Sequence, residues 1–129
     1  MTVERRHSAS PYEDRYGFCR GLRKNNHIEV AGTAPIGPDG KTVAGGPFEQ
    51  AMRCFSLSIQ TIEALGGQRS DVVRTRMYIT DPAVADEVGR AHAEAFGDAP
   101  PVATMVVVAG LLDPDWVVET EVQAQLDRS

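Results

Sequence analysis

The sequence predicts an α+β fold, with two helices packed on one face of a mixed β-sheet. Three observations carry that prediction. Apolar residues recur at intervals of 4, 3, 4 and 3 through Phe48, Met52, Phe55, Ile59 and Ile62, the spacing of a helix with one apolar stripe. Val73, Thr75, Met77 and Ile79 alternate with Arg74, Arg76 and Tyr78, the period of a strand with one buried face. The segments also follow the order strand, strand, helix, strand, helix, strand, strand, so two striped helices have one sheet to cover.

Residues 1–16 are polar and read as irregular, with Tyr12 and Tyr16 the only side chains there suited to packing. The segment Gly17–Leu22 reads as a first strand with Phe18, Arg20 and Leu22 on one face, since side chains alternate along a strand. Lys24-Asn25-Asn26 is a turn, because Asn tolerates positive φ. His27–Gly32 is the return strand, apolar at Ile28 and Val30. Residues 33–47, rich in Gly and Pro, form a loop, and Pro47 stands at the first position of the striped helix. Gly66-Gly67 stops that helix. After the strand Val72–Ile79, Asp81 caps a second helix with Pro82 at its first position, and Val84, Val88, Ala91 and Ala95 line its inner face. Pro100-Pro101 ends the helical pattern. The run Val102–Ala109 reads as a strand buried on both faces, and Trp116–Val122 as a last strand with Glu119 and Glu121 on one face. The sheet face away from the helices is expected to carry Val, Ile and Met and to be covered by further copies of the chain.

At 129 residues the chain is expected to form one domain, 1–129, with residues 1–16 as its irregular leading segment. A hydrophobic content of 42% with 24% charged residues places it among ordinary globular chains. The net charge of −5 argues against a nucleic-acid partner held through phosphates. No apolar run is long enough to span a membrane, and no apolar leader opens the sequence. Cys19 and Cys54 stand in no metal or redox spacing and fit reduced thiols, so a cytoplasmic protein is expected.

The hairpin ending Val30-Ala31-Gly32-Thr33-Ala34-Pro35, the segment Asp71–Asp81, Ala95-Phe96-Gly97 before Pro100-Pro101, and the closing Val118-Glu119-Thr120-Glu121 together resemble the RidA/YjgF family, also labelled L-PSP endoribonuclease. The resemblance covers roughly residues 16 to 126. It implies a chorismate-mutase-like fold in a homotrimer with a cleft between each pair of subunits. It also implies hydrolysis of reactive imines and enamines with water and no cofactor. In such proteins an arginine after the proline pair grips the substrate carboxylate, a glutamate on the last strand positions water, and backbone around a glycine of the second strand completes the pocket.

Carried onto this sequence, the glutamate is Glu119, the glycine Gly32 with Thr33 beside it, and the aromatic residue of the first strand Phe18. The arginine position is occupied by Ala103, with Thr104 and Met105 following, and Phe96 is a further apolar wall. A methyl group cannot reproduce a bidentate guanidinium grip on carboxylate. Two readings of Arg20 stand. It supplies the missing cation from another wall of the cleft, beside Phe18, or it is a surface or interface arginine paired with an acid such as Glu29. Arg74 and Arg76 read as interface or surface residues, Glu121 as structural, and His27 and His92 as structural or exposed. A small-molecule hydrolase using Glu119, a non-catalytic binding or sensing trimer, and an RNA-cleaving enzyme are the competing functions. The acidic charge opposes the last.

Overall fold

The computed structural model describes residues 2–127. In chain order the elements are β1 (Val3–Arg6), α1 (Pro11–Tyr16), β2 (Gly21–Lys24), β3 (His27–Thr33), α2 (Pro47–Ala64), β4 (Val72–Ile79), α3 (Ala85–Phe96), β5 (Val102–Val107) and β6 (Val118–Gln125). The six strands form one sheet in the order β1-β2-β3-β6-β4-β5. β4 and β5 pair in parallel, and the remaining neighbours are antiparallel, so the sheet is mixed as expected.

The long helices start and stop by local chemistry. The Gly46 N–H donates to Glu49 Oε1 at 2.9 Å ahead of Pro47, and α2 ends where Gly66 takes φ +94°. Arg23 closes that end by donating to the Leu65 carbonyl at 2.8 Å. Asp81 accepts from the Ala83 N–H at 2.8 Å and so caps a single 3₁₀ turn, Pro82–Val84, which runs directly into α3. Both helices cover one sheet face, and Phe55, Ile62, Val88 and Phe96 meet Ile28, Ile79, Val118 and Val122 in a fully buried core.

The apolar stripe of α2 is divided between two neighbours. Ala51, Cys54, Phe55, Ser58 and Ile62 are buried, whereas Met52 and Ile59 are only partly covered and line a groove of about 380 Å³ with Glu94 and Ala95 of α3. The stripe read from the sequence therefore straddles the helix–sheet and helix–helix contacts.

Five expectations are corrected. Residues 1–16 are not irregular: β1 pairs with β2, and Pro11–Tyr16 is a helix capped by Ser10. Its short-range capping carries no apolar period, so pattern reading misses it. The strand expected at Gly17–Leu22 begins at Gly21, although Arg20 already bonds across both neighbours through Arg6 O (2.8 Å) and Ala31 N (2.9 Å). The strand expected from Trp116 begins at Val118. Trp116 instead donates from Nε1 to Thr42 Oγ1 and pins two loops together. Val73 is exposed because the β4–β6 register slips between Val72 and Arg74 and leaves it outside the alternation. Lastly, β5 is the sheet's edge strand and largely exposed, and the face away from the helices is not apolar. Met77 and Ile79 point to the helices, and that open face carries Glu29, Arg74, Arg76, Tyr78, Glu119, Glu121 and Gln123. Valines of β5 supply its apolar share.

Candidate functional site

A local irregularity builds the site. Val30 pairs with Val122 and Thr33 with Thr120, so Ala31 and Gly32 together face the single residue Glu121. Such a bulge turns the backbone out of the regular ladder, and bulges of this kind cluster beside functional sites. A Cβ at Gly32 would lie 2.8 Å from Glu119 Oε2, so the carboxylate rests against bare backbone. From the other side Arg20 Nη2 donates to the Gly32 carbonyl at 2.8 Å. The same guanidinium lies 5.8 Å from the centre of the Phe18 ring, a cation–π distance. Phe18, Arg20, Gly32 and Glu119 are thus brought together from β3, β6 and the segment leading into β2.

The electrostatics follow from this packing. Burial pushes the Glu119 carboxyl above its ordinary value, the positive charge of Arg20 pulls it back, and Glu121 adds to the rise. Burial lowers the Arg20 pKa, and Glu13, Glu119 and Cys19 oppose that. Arg20 Nε is buried without a hydrogen-bond partner among the described residues. Tyr78 donates to Glu121 Oε1 at 2.7 Å, and that bond raises its pKa. The open face therefore offers one carboxylate with raised proton affinity beside one cation, with a phenol–carboxylate pair next to them.

Arg20 does not pair with Glu29 across the hairpin. Glu29 instead accepts from the side chains of His27 (2.6 Å) and Gln123 (2.7 Å). The remaining residues expected at the site are placed elsewhere. Thr33 is buried toward α2, where its hydroxyl donates to the Ala31 carbonyl and meets Ser58. Phe96 is a core residue packed edge-on against Phe55. Met105 pairs in register with Met77 and packs on the core, on the helix side of the sheet. Helical and strand alternation decides all three, because each stands on the buried phase of its element. Ala103 shares that phase, opposite Thr75, but at the uncovered edge it is exposed. Thr104 is on the open face and accepts from Arg74 at 3.2 Å.

Two residues of the site carried no sequence signal as such. Tyr78 sits opposite Glu119 in the β4–β6 register. Glu13, inside a segment without period, is buried to 3%. Of the histidines, His27 is in the surface network with Glu29, and His92 bonds Thr75 Oγ1 at 2.7 Å between the helices and the sheet. Burial pushes the Cys54 thiol up to about 12, leaving it inert. Among the described residues no group of three or more His, Cys, Asp or Glu is placed to hold a metal ion, and no helix is long and apolar enough to cross a membrane. The larger of two described grooves, about 640 Å³, lies beside the cluster rather than on it: Arg5, His7, Glu13, Phe18 and Glu29 line it and Glu119 does not.

Comparison with known proteins places these features in a family. The model described as Endoribonuclease L-PSP matches residues 9–126. An uncharacterized protein of Streptomyces coelicolor is 36% identical over 122 residues, covering 95% of this chain and 91% of its own. A RutC family protein of Pyrococcus abyssi is 30% identical over 105 residues, covering 81% and 82%. Among solved structures, a Mycobacterium tuberculosis member of the YjgF/YER057c/UK114 family superposes with a TM-score of 0.89 at 32% identity, over 97% of this chain and 100% of that one.

Proposed function

Because the chain belongs to the Endoribonuclease L-PSP family, which includes the YjgF and RidA proteins, we propose that it is a cytoplasmic homotrimer. Its inter-subunit clefts bind a small metabolite and hydrolyse it as an imine or enamine deaminase does, without a cofactor. The observation that carries this reading is the Glu119 carboxylate lying against bare Gly32 backbone beside Arg20. A carboxylate whose proton affinity is raised by burial is better suited to accept and return a proton than an exposed one.

In the reaction, Glu119 takes a proton from a water molecule as its oxygen attacks the carbon of the C=N bond. Glu119 then returns that proton to the nitrogen of the tetrahedral adduct. Ammonia leaves as the adduct's hydroxyl collapses to a carbonyl, its proton passing by way of Glu119 to the departing nitrogen. An enamine first gains a proton at carbon and loses one from nitrogen to become the imine. Phe18 forms the apolar wall, and Arg20 takes the part of the missing carboxylate-binding arginine. β5, with Ala103 and Thr104 on the sheet's exposed edge, is contributed to the cleft by the neighbouring copy.

A non-catalytic binding trimer is the second reading, favoured by Ala103 standing where the resemblance calls for arginine. RNA cleavage, which the family label suggests, is disfavoured by the net charge of −5. Sedimentation tests the trimer. Ammonia release from freshly generated 2-aminoacrylate and 2-iminobutyrate tests the chemistry. The deaminase reading expects catalysed release that falls roughly 10²–10⁴-fold in Glu119→Ala. Release at the uncatalysed rate by the unaltered protein sinks it in favour of the binding trimer.

A further inference from the structure

The open face of the sheet continues past Glu119 to β4. The sheet order there runs β3, β6, β4, with neighbouring strands about 4.8 Å apart. Arg20 bonds the Gly32 carbonyl of β3, Glu119 stands on β6, and Tyr78 of β4 is the partner of Glu119 in the antiparallel register. Side chains paired in this way leave the same face with their Cβ atoms about 4.5–5.5 Å apart. The Glu119 carboxylate is turned to the β3 side, against Gly32, so its far side is bounded by the half-buried Tyr78. The Tyr78 hydroxyl donates to Glu121 Oε1 at 2.7 Å. Arg76, opposite Glu121 in the register, donates to Gln123 at 3.4 Å instead, which leaves the phenol as the donor to Glu121 among the described residues. An ionised carboxylate only accepts, so the single hydrogen of the phenol is committed to it. What the hydroxyl still offers the open face is an oxygen lone pair.

Resting on the imine-hydrolysis reading above, we infer that Tyr78 is a specificity-determining residue: its oxygen accepts from the N–H of the substrate's C=N group and has no hydrogen to give the carbonyl of the product. A 2-imino acid lays its parts across the sheet in the order of these groups. Its carboxylate meets Arg20, its imine carbon lies over Glu119, and its nitrogen reaches Tyr78. The recognised feature is a hydrogen on nitrogen, which the imine, its protonated form and the enamine all carry. Hydrolysis puts a carbonyl oxygen in that place, and an acceptor then faces an acceptor. Two acceptors left unpaired weaken binding, so the product is let go rather than held. Glu121 is a positioning residue in this arrangement, acting through the phenol and not on the substrate.

The test compares three stable ligands by NMR titration: 2-aminobutyrate, whose nitrogen carries hydrogens, 2-oxobutyrate, whose carbonyl only accepts, and butyrate, which has neither group. Tyr78→Phe keeps the ring and the charge of the site. It lowers the affinity for 2-aminobutyrate relative to butyrate about 10-fold and leaves 2-oxobutyrate no weaker. Glu121→Ala releases the hydroxyl to donate, and 2-oxobutyrate tightens about 10-fold relative to butyrate. These two ligands carry the same carboxylate charge, so the lost charge of Glu121 cancels in their ratio. Combining the two changes removes that gain. A merely structural Tyr78 would lower the melting temperature and weaken all three ligands alike, which overturns the inference. An unchanged ratio in either variant does the same, and either variant alone decides should the other fail to fold. Ammonia release from 2-iminobutyrate is read separately. Ratios that shift in a protein without catalysed release sink the deaminase and leave the recognition of N–H standing; catalysed release with unshifted ratios does the reverse. A protein that binds none of the three ligands overturns the inference outright.

Discussion

Gly32→Ala separates the stability of this protein from the chemistry of its site. The added Cβ would lie 2.8 Å from Glu119 Oε2. Ordinary contact begins near 3.4 Å, so the carboxylate must retreat by about 0.6 Å. The obstructing atom is the far end of a flexible side chain, and turning it partly off a preferred rotamer costs on the order of 0.5–1.5 kcal/mol. Removing a glycine from a strand returns roughly 0.5–1 kcal/mol, so the urea-unfolding free energy should change by less than about 1 kcal/mol. Catalysis is far more sensitive to position. A misplacement of about 1 Å costs up to roughly 10²-fold, or about 2.7 kcal/mol of barrier. Ammonia release should therefore fall about 10- to 100-fold in a protein that unfolds normally. Full turnover in Gly32→Ala would refute the placement of Glu119 against that backbone as the working geometry. A stability loss above about 3 kcal/mol would show that the carboxylate is rigidly held.

Two further outcomes concern the helix–sheet core. Phe55 is fully buried between α3 and the sheet, and Phe55→Ala should lower unfolding free energy by about 3–5 kcal/mol in urea titrations, a smaller loss meaning that the core collapses around the gap. His92 is held below its ordinary pKa by burial, so the unfolded chain takes up its proton first as pH falls through the ordinary histidine value. Its contribution to stability is thus lost on acidification. His27, raised by its bond to Glu29, works the other way, with stability fully present at low pH and lost as pH rises through its folded pKa. His92→Gln should flatten the acid side of the stability profile from the ordinary histidine value downward, and a profile left unchanged would contradict the assignment of that limb to His92.

The parts of the fold that were legible in the sequence are those governed by periodicity and punctuation. α2 and α3 were marked by their stripes, the limits of α2 by Pro47 and Gly66, and the 3₁₀ turn leading into α3 by Asp81. The turn at Asn25, with φ +56°, followed from Asn's tolerance of that region. Alternation also set Glu119 and Glu121 on one face and Phe18 with Arg20 on another strand, but nothing in that alternation pointed to the bond Arg20 makes with the Gly32 carbonyl. What could not be read is what depends on register. A slip of one residue at Ala31–Gly32, and another at Val73, changes which side chains face which side, and no local pattern announces it. The edge position of β5 was equally hidden, because a β-branched run looks the same beside one strand as between two. Thr33, Phe96 and Met105 were assigned to a cleft by position in a motif, whereas burial phase places them in the core. Glu13 was missed because a single inward-facing residue on a one-and-a-half-turn helix has no period to betray it.

The strand at the centre of the sheet is the last of the six to be synthesised. β3 and β4 flank it and do not touch each other in the ladder, so until residues 118–125 are made neither has its inner partner. A growing chain can form the local β2–β3 hairpin and the two helices early, but the helices then have only half a sheet to cover. Closure couples residues roughly a hundred positions apart, His27 to Gln125 among them. The molecule is thereby committed to assembling in one late, cooperative step, with two unsatisfied strand edges exposed while it waits.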